Sequence, residues 1–104
     1  MVTTEVRPTT IEELIPPLVY NLPSDILARG WCQGRFKNEQ GHVCLTGASW
    51  YFGSEEEGYE FRHTVREVLG DGNAITGWND TPGRTQTEVV AVAREAERRL
   101  GWRS

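Results

Sequence analysis

Two thiols, two imidazoles and an amide–carboxylate pair are the groups in this chain best suited to chemistry: Cys32, Cys44, His42, His63, Asn79 and Asp80. A cysteine nucleophile needs a thiolate, a base to take its proton and a third group to orient the base. Cys44 or Cys32 would be the nucleophile, His42 or His63 the base, and Asp80 or Asn79 the orienting group. If Cys44 opens a helix, the free N–H groups there would lower its pKa. Any chain with two cysteines and two histidines offers such a set, however, and a buried cysteine packs as a small apolar residue. The same side chains raise the question of a metal. Zinc ligands usually come in close pairs such as C-x2-C or H-x3-H. Here Cys32, His42, Cys44 and His63 supply only His42-x-Cys44, so no metal site and no cofactor is expected.

Trp78-Asn79-Asp80 sets an aromatic plate beside an amide and a carboxylate, which suits a flat or sugar-like polar ligand. The favoured reading is structural, with Asn79 or Asp80 bonding the backbone of the turn before Pro82 while Trp78 fills the core. Gly70-x-Gly72 and the Gly30–Gly34 stretch match neither phosphate-loop pattern. Trp50-Tyr51-Phe52 is a run of three aromatics. On any regular element at least one must point away from the core, and exposed aromatic clusters often mark interfaces.

The elements that must position these groups are mostly helices. Thr85 and Glu88 have capping-box spacing, and Val89, Val92, Ala93, Ala96 and Leu100 share one apolar face, so a helix is expected over 85–100. A second is expected over 55–69, with Glu55-Glu56-Glu57 at its positive end and Phe61, Val65, Val68 and Leu69 at helical spacing. A short helix opens at Pro23 or Ser24 and stops at Gly30. Thr10 caps another over Ile11–Ile15, which Pro16-Pro17 must end. Two short strands around the turn Lys37–Gly41 suggest a hairpin. The alternative is a helix from Val43 through Leu45, Ala48 and Phe52, weakened by Gly47 and Gly53. Ala74-Ile75-Thr76 is expected to be extended. The chain is thus expected to be mainly α (α+β), with three or four short helices and a small hairpin or extended pair. Residues 1–23 would form an arm with a short helix, and 24–104 a single domain.

Composition narrows the partners. The 104 residues carry a formal net charge of −4, whereas nucleic-acid binding usually leaves a basic footprint. Arg94, Arg98, Arg99 and Arg103 are interleaved with Glu95 and Glu97, as on a solvated face with local charge pairs. No apolar run approaches the length of a membrane helix and no leader pattern is visible, so a reducing cytoplasm with both thiols free is expected. The expected partner is another protein, or a second copy of this chain, rather than nucleic acid or membrane.

Trp31-Cys32-Gln33-Gly34, Cys44-Leu45-x-Gly47-Ala48 and Trp78-Asn79-Asp80-x-x-Gly83-Arg84-Thr85-x-x-Glu88-Val89 together resemble a small uncharacterised domain family of actinobacteria and their phages. The resemblance covers roughly residues 26–100. It implies a cellular setting, the host cytoplasm for a phage-encoded chain, and no assigned activity. The stretch Ser49-Trp50-Tyr51-Phe52 departs from the alanine-rich helix of relatives, so this chain is expected to have a surface of its own. The favoured function is a non-catalytic interaction protein, such as a phage-encoded modulator of a host protein. The alternative is a small cysteine-dependent hydrolase or transferase using Cys44 or Cys32 with a histidine.

Overall fold

A computed structural model describes residues 22–70 and 74–103. Five helices carry the described chain: α1 (Pro23–Arg29), α2 (Leu45–Trp50), α3 (Glu55–Leu69), α4 (Ile75–Asn79) and α5 (Gln86–Arg99). The protein is mainly helical, as expected. The helix expected at Ile11–Ile15 and most of the N-terminal arm lie outside the described residues.

The two long helices start where their caps require. Ser54 Oγ accepts from the Glu57 N–H while the Glu57 carboxylate accepts from the Ser54 N–H, and Thr85 and Glu88 repeat the arrangement before α5. Each pair satisfies two N–H groups that helix geometry leaves free. Gly70 and Gly101, with φ of +91° and +80°, follow the two helices in a conformation that costs glycine little. Pro23 opens α1 at its first turn, where a missing N–H is harmless. Gly30 does end α1, but in extended backbone rather than a left-handed cap. A Cβ there would collide with the His42 ring, so glycine serves close approach.

Helix α5 lies against α1 and α3, while α2 touches α1, α3 and α4. Leu27, Leu45, Phe61, Val65, Val89, Ala93 and Ala96 are fully buried where these faces meet. Burial of each large member stabilises the fold by about 1.5–3 kcal/mol relative to exposure. Phe52 and Trp102 close one side of this core against Phe61, with ring centroids 5.2–6.3 Å apart.

The expected hairpin does not form among the described residues. Its turn is present, with Asn38 Oδ1 accepting from the N–H groups of Gln40 and His42. The flanking segments make only isolated bridges, Trp31 with Val43 in parallel and Lys37 with Val43 antiparallel. The second segment cannot extend because Cys44 caps α2 and the chain turns helical at Leu45. The helix expected as the alternative is therefore present, though it begins later and ends before Phe52. The extended piece expected at Ala74–Thr76 is corrected too. Ile75–Asn79 is a short helix, whose first turn buries Ile75 and whose last residue buries Asn79.

Candidate functional site

Asn79 is completely buried, and its side chain ties three distant segments together. Oδ1 accepts from Trp31 Nε1 at 2.8 Å and from the Leu45 N–H at 3.0 Å. Nδ2 donates to the Cys32 carbonyl at 3.2 Å and to Asp80 Oδ1 at 2.9 Å. An amide has two acceptor sites and two donor hydrogens, so its capacity is filled. Asp80 Oδ1 also accepts from the Gly34 N–H, and Gln33 Nε2 donates to the carbonyls of Asn79 and Thr81. Arg84 lies 3.9 Å from the Trp78 ring centroid, donates to the Trp78 carbonyl and pairs with Glu88 at 3.6 Å. Thus the Trp31, Cys44 and Trp78 neighbourhoods converge, but around a node with no free valence for a ligand at Asn79.

The thiols sit beside this node. Cys44 caps α2, and its sulfur accepts from the Gly47 N–H at 3.3 Å. That bond favours the thiolate, as expected of a helix start. Burial outweighs it and pushes the thiol above its ordinary 9.0, with Asp80 adding to the rise. Cys32 donates weakly to the carbonyls of Arg35 and His42. Burial raises it as well, and the neighbouring Cys44 is the next cause.

A small pocket of about 130 Å³ is lined by Cys44 and Asp80 together with Gly34, Arg35, Phe36 and Thr76. Neither imidazole lines it. The His42 ring lies against Gly30. His63 is exposed on α3, stacked on Tyr59 and 3.5 Å from Glu67. The expected sulfur–imidazole–carboxylate set is therefore only partly assembled. No cluster of three or more metal-ligating side chains occurs among the described residues.

The aromatic run divides as its geometry requires. Phe52 turns inward against Phe61 and Trp102. Trp50 and Tyr51 point outward, 49% and 52% exposed. Phe36, which no sequence pattern singles out, joins them: it is 44% exposed and its ring lies 4.4 Å from Trp50. Gly47 makes this possible. A Cβ there would collide with the Phe36 carbonyl, so only glycine lets the 36–37 backbone lie against α2. Lys37 Nζ sits 5.0 Å from the Tyr51 ring centroid. Beyond Trp50, a pocket of about 250 Å³ opens between α2 and α3, walled by Ser49, Gly53, Ser54, Glu55 and Arg62.

Charge interleaving groups Glu97 with a solvated face, yet it is fully buried. It accepts from the Ser24 N–H and Oγ at 2.7 Å each and from Arg103 Nε at 2.8 Å. The signal lies in its register: Glu97 is four residues past Ala93 and eight past Val89, on the apolar stripe. Glu95 behaves as expected. Hydrogen bonds from Arg98 and Arg99 hold its carboxyl below the ordinary 4.5.

No helix among the described residues is long and apolar enough to cross a membrane. No curated protein and no solved structure matches the chain. A family of unknown function, DUF6197, matches it over residues 24–99, the span that holds the Asn79 node and all but the first residue of the five helices, and the chain belongs to that family.

Proposed function

We propose that this chain is a non-catalytic interaction protein that docks a protein partner on the face formed by Phe36, Trp50 and Tyr51. The observation that carries this reading is the exposure of three adjoining large aromatics on one face, whereas Tyr59, the other strongly exposed ring, stands apart from them on α3 against His63. Aromatics in contact patches supply large area at small entropic cost and are frequent binding hot spots. The face is held rigidly, since Phe36 is fixed by the close approach at Gly47 and Trp50 ends a helix whose preceding residues are all buried. At a finer level, the partner would be a host protein and the chain a phage-encoded modulator; that step rests on the motif resemblance.

A second reading, a cysteine-dependent enzyme, draws on the meeting of Cys44 and Asp80 at one pocket. Its difficulty is chemical. Burial holds both thiols protonated, and no imidazole among the described residues lines the pocket to take the proton.

The docking proposal is tested by affinity capture with the tagged wild type, Trp50→Ala, Phe36→Ala and a control variant, Arg94→Ala, in the separate groove between α1 and α5. Recovery of the same partner by wild type and Arg94→Ala, with loss of most of it from the two aromatic variants, is expected. Equal recovery from all four would remove this face from the account.

A further inference from the structure

Arg62 differs in its pairing from several arginines around the C-terminal helix. Arg84, Arg98, Arg99 and Arg103 each have a carboxylate partner within 4 Å. Among the described residues Arg62 has none, and neither do Arg35, Lys37, Arg66 or Arg94. The Arg62 guanidinium makes a single hydrogen bond there, Nη1 to Ser49 Oγ at 2.8 Å, and that hydroxyl is itself committed to the Thr46 carbonyl. A guanidinium offers five N–H donors in a planar fork. Ser49 thus orients the group and leaves most of its donors unused. Gly58 keeps the wall open, since a Cβ at that position would sit 2.6 Å from the Ser49 carbonyl and 3.3 Å from the Arg62 guanidinium.

The pocket that Arg62 lines shares Trp50 with the aromatic face. At about 250 Å³ it is below the roughly 300–1,000 Å³ of small-molecule clefts and suits a single side chain. Lys37, a second cation without a carboxylate partner among the described residues, lies over the Tyr51 ring of the same face. Glu55 is the one acidic residue lining the pocket.

Resting on the docking proposal above, we infer that the partner segment carries a carboxylate side chain beside a large apolar one. The carboxylate enters the pocket to meet the Arg62 fork, and the apolar residue packs on Trp50 and Phe36. Planar two-bond pairing of guanidinium with carboxylate supplies both strength and orientation. Lys37 adds long-range attraction without fixed geometry.

The test uses the full chain and a displayed library of random dodecapeptides, followed by affinity measurement on synthetic copies of the selected peptides. Peptides selected on wild type are expected to place Asp or Glu within a few residues of an aromatic or large aliphatic residue. Their affinity should fall about tenfold or more on Arg62→Gln and on Trp50→Ala. Replacing the peptide's acid by its amide should weaken binding to wild type equally and leave binding to Arg62→Gln unchanged. Circular dichroism confirms that each variant is folded, and Arg62→Lys, which keeps the charge without the fork, should recover only part of the affinity. Selected peptides that need Trp50 but are neutral and indifferent to Arg62→Gln would overturn the carboxylate inference and leave the docking face standing. Failure to select any peptide that depends on Trp50 would count against both.

Discussion

The Asn79 node and the aromatic face use their side chains in opposite ways. Around Asn79, every polar valence of the side chain is spent inside the protein. On the face of Phe36, Trp50 and Tyr51, rings that would gain from burial stay half in water, and the guanidinium beside them has donors to spare. The node has the residue types of chemistry and the role of architecture. The face has the residue types of packing and remains available to a partner. Functional appearance in a sequence reflects residue type, while availability depends on how many of a group's valences the fold consumes.

The sharpest way to break the contrast is to remove the node. Asn79→Leu leaves Trp31 Nε1, the Leu45 N–H and the Cys32 carbonyl without their partner in a buried site. Each such group costs roughly 1–3 kcal/mol. A loss of about 3–5 kcal/mol in urea unfolding is expected, a large fraction of what a domain of this size possesses. A loss below about 1 kcal/mol would show that the node is not structural.

Glu97→Gln comes next. The amide keeps the shape but exchanges a charged acceptor of three hydrogen bonds for a neutral one. Breaking a buried charge arrangement is typically costly, and about 2–4 kcal/mol is expected, because Arg103 retains some solvent access. Thermal unfolding of the variant, with Arg103→Gln as companion, checks it. Effects that simply add would contradict a shared network.

The long helices are legible in the sequence because their information is local. Capping boxes and apolar stripes lie within one segment, and α3 and α5 stand where those signals put them. Helix α4 is not legible: Ile75–Asn79 is five residues with Thr76 and Gly77 inside, and neither propensity nor period speaks for it. Its helical form is imposed by the packing of Ile75 and Asn79. The hairpin fails for a related reason. The turn chemistry at Asn38–Gly41 is real, but a turn fixes a reversal and not the strands beside it. The structural role of Asn79 is legible but its partners are not, since they lie 48 and 34 residues away rather than in the turn before Pro82. Phe36 enters the aromatic face through the close approach at Gly47, which no spacing rule exposes.

Truncating the aromatic face should do least to the fold. Trp50→Ala and Tyr51→Ala remove half-exposed rings, and each is expected to change stability by no more than about 1 kcal/mol in urea unfolding. A larger loss would mean that the face belongs to the core. In acid, the weakening should include α5. The Thr85 N–H bonding the Glu88 carboxylate holds that group below its ordinary 4.5, as the Arg98 and Arg99 bonds do for Glu95. Stability from a lowered carboxyl is present above 4.5 and is lost as pH falls through the depressed folded value.

Native-state alkylation of the two cysteines by iodoacetamide, followed by mass spectrometry across neutral to alkaline pH, decides most directly whether the sulfur-bearing region is packed or poised to react. With both thiols buried and raised above 9.0, labelling at neutral pH should proceed no faster than the protein opens and should accelerate only on denaturation or in alkali beyond that value. Rapid, single-site modification of Cys44 in the folded protein at neutral pH would contradict this account and make that cysteine a nucleophile.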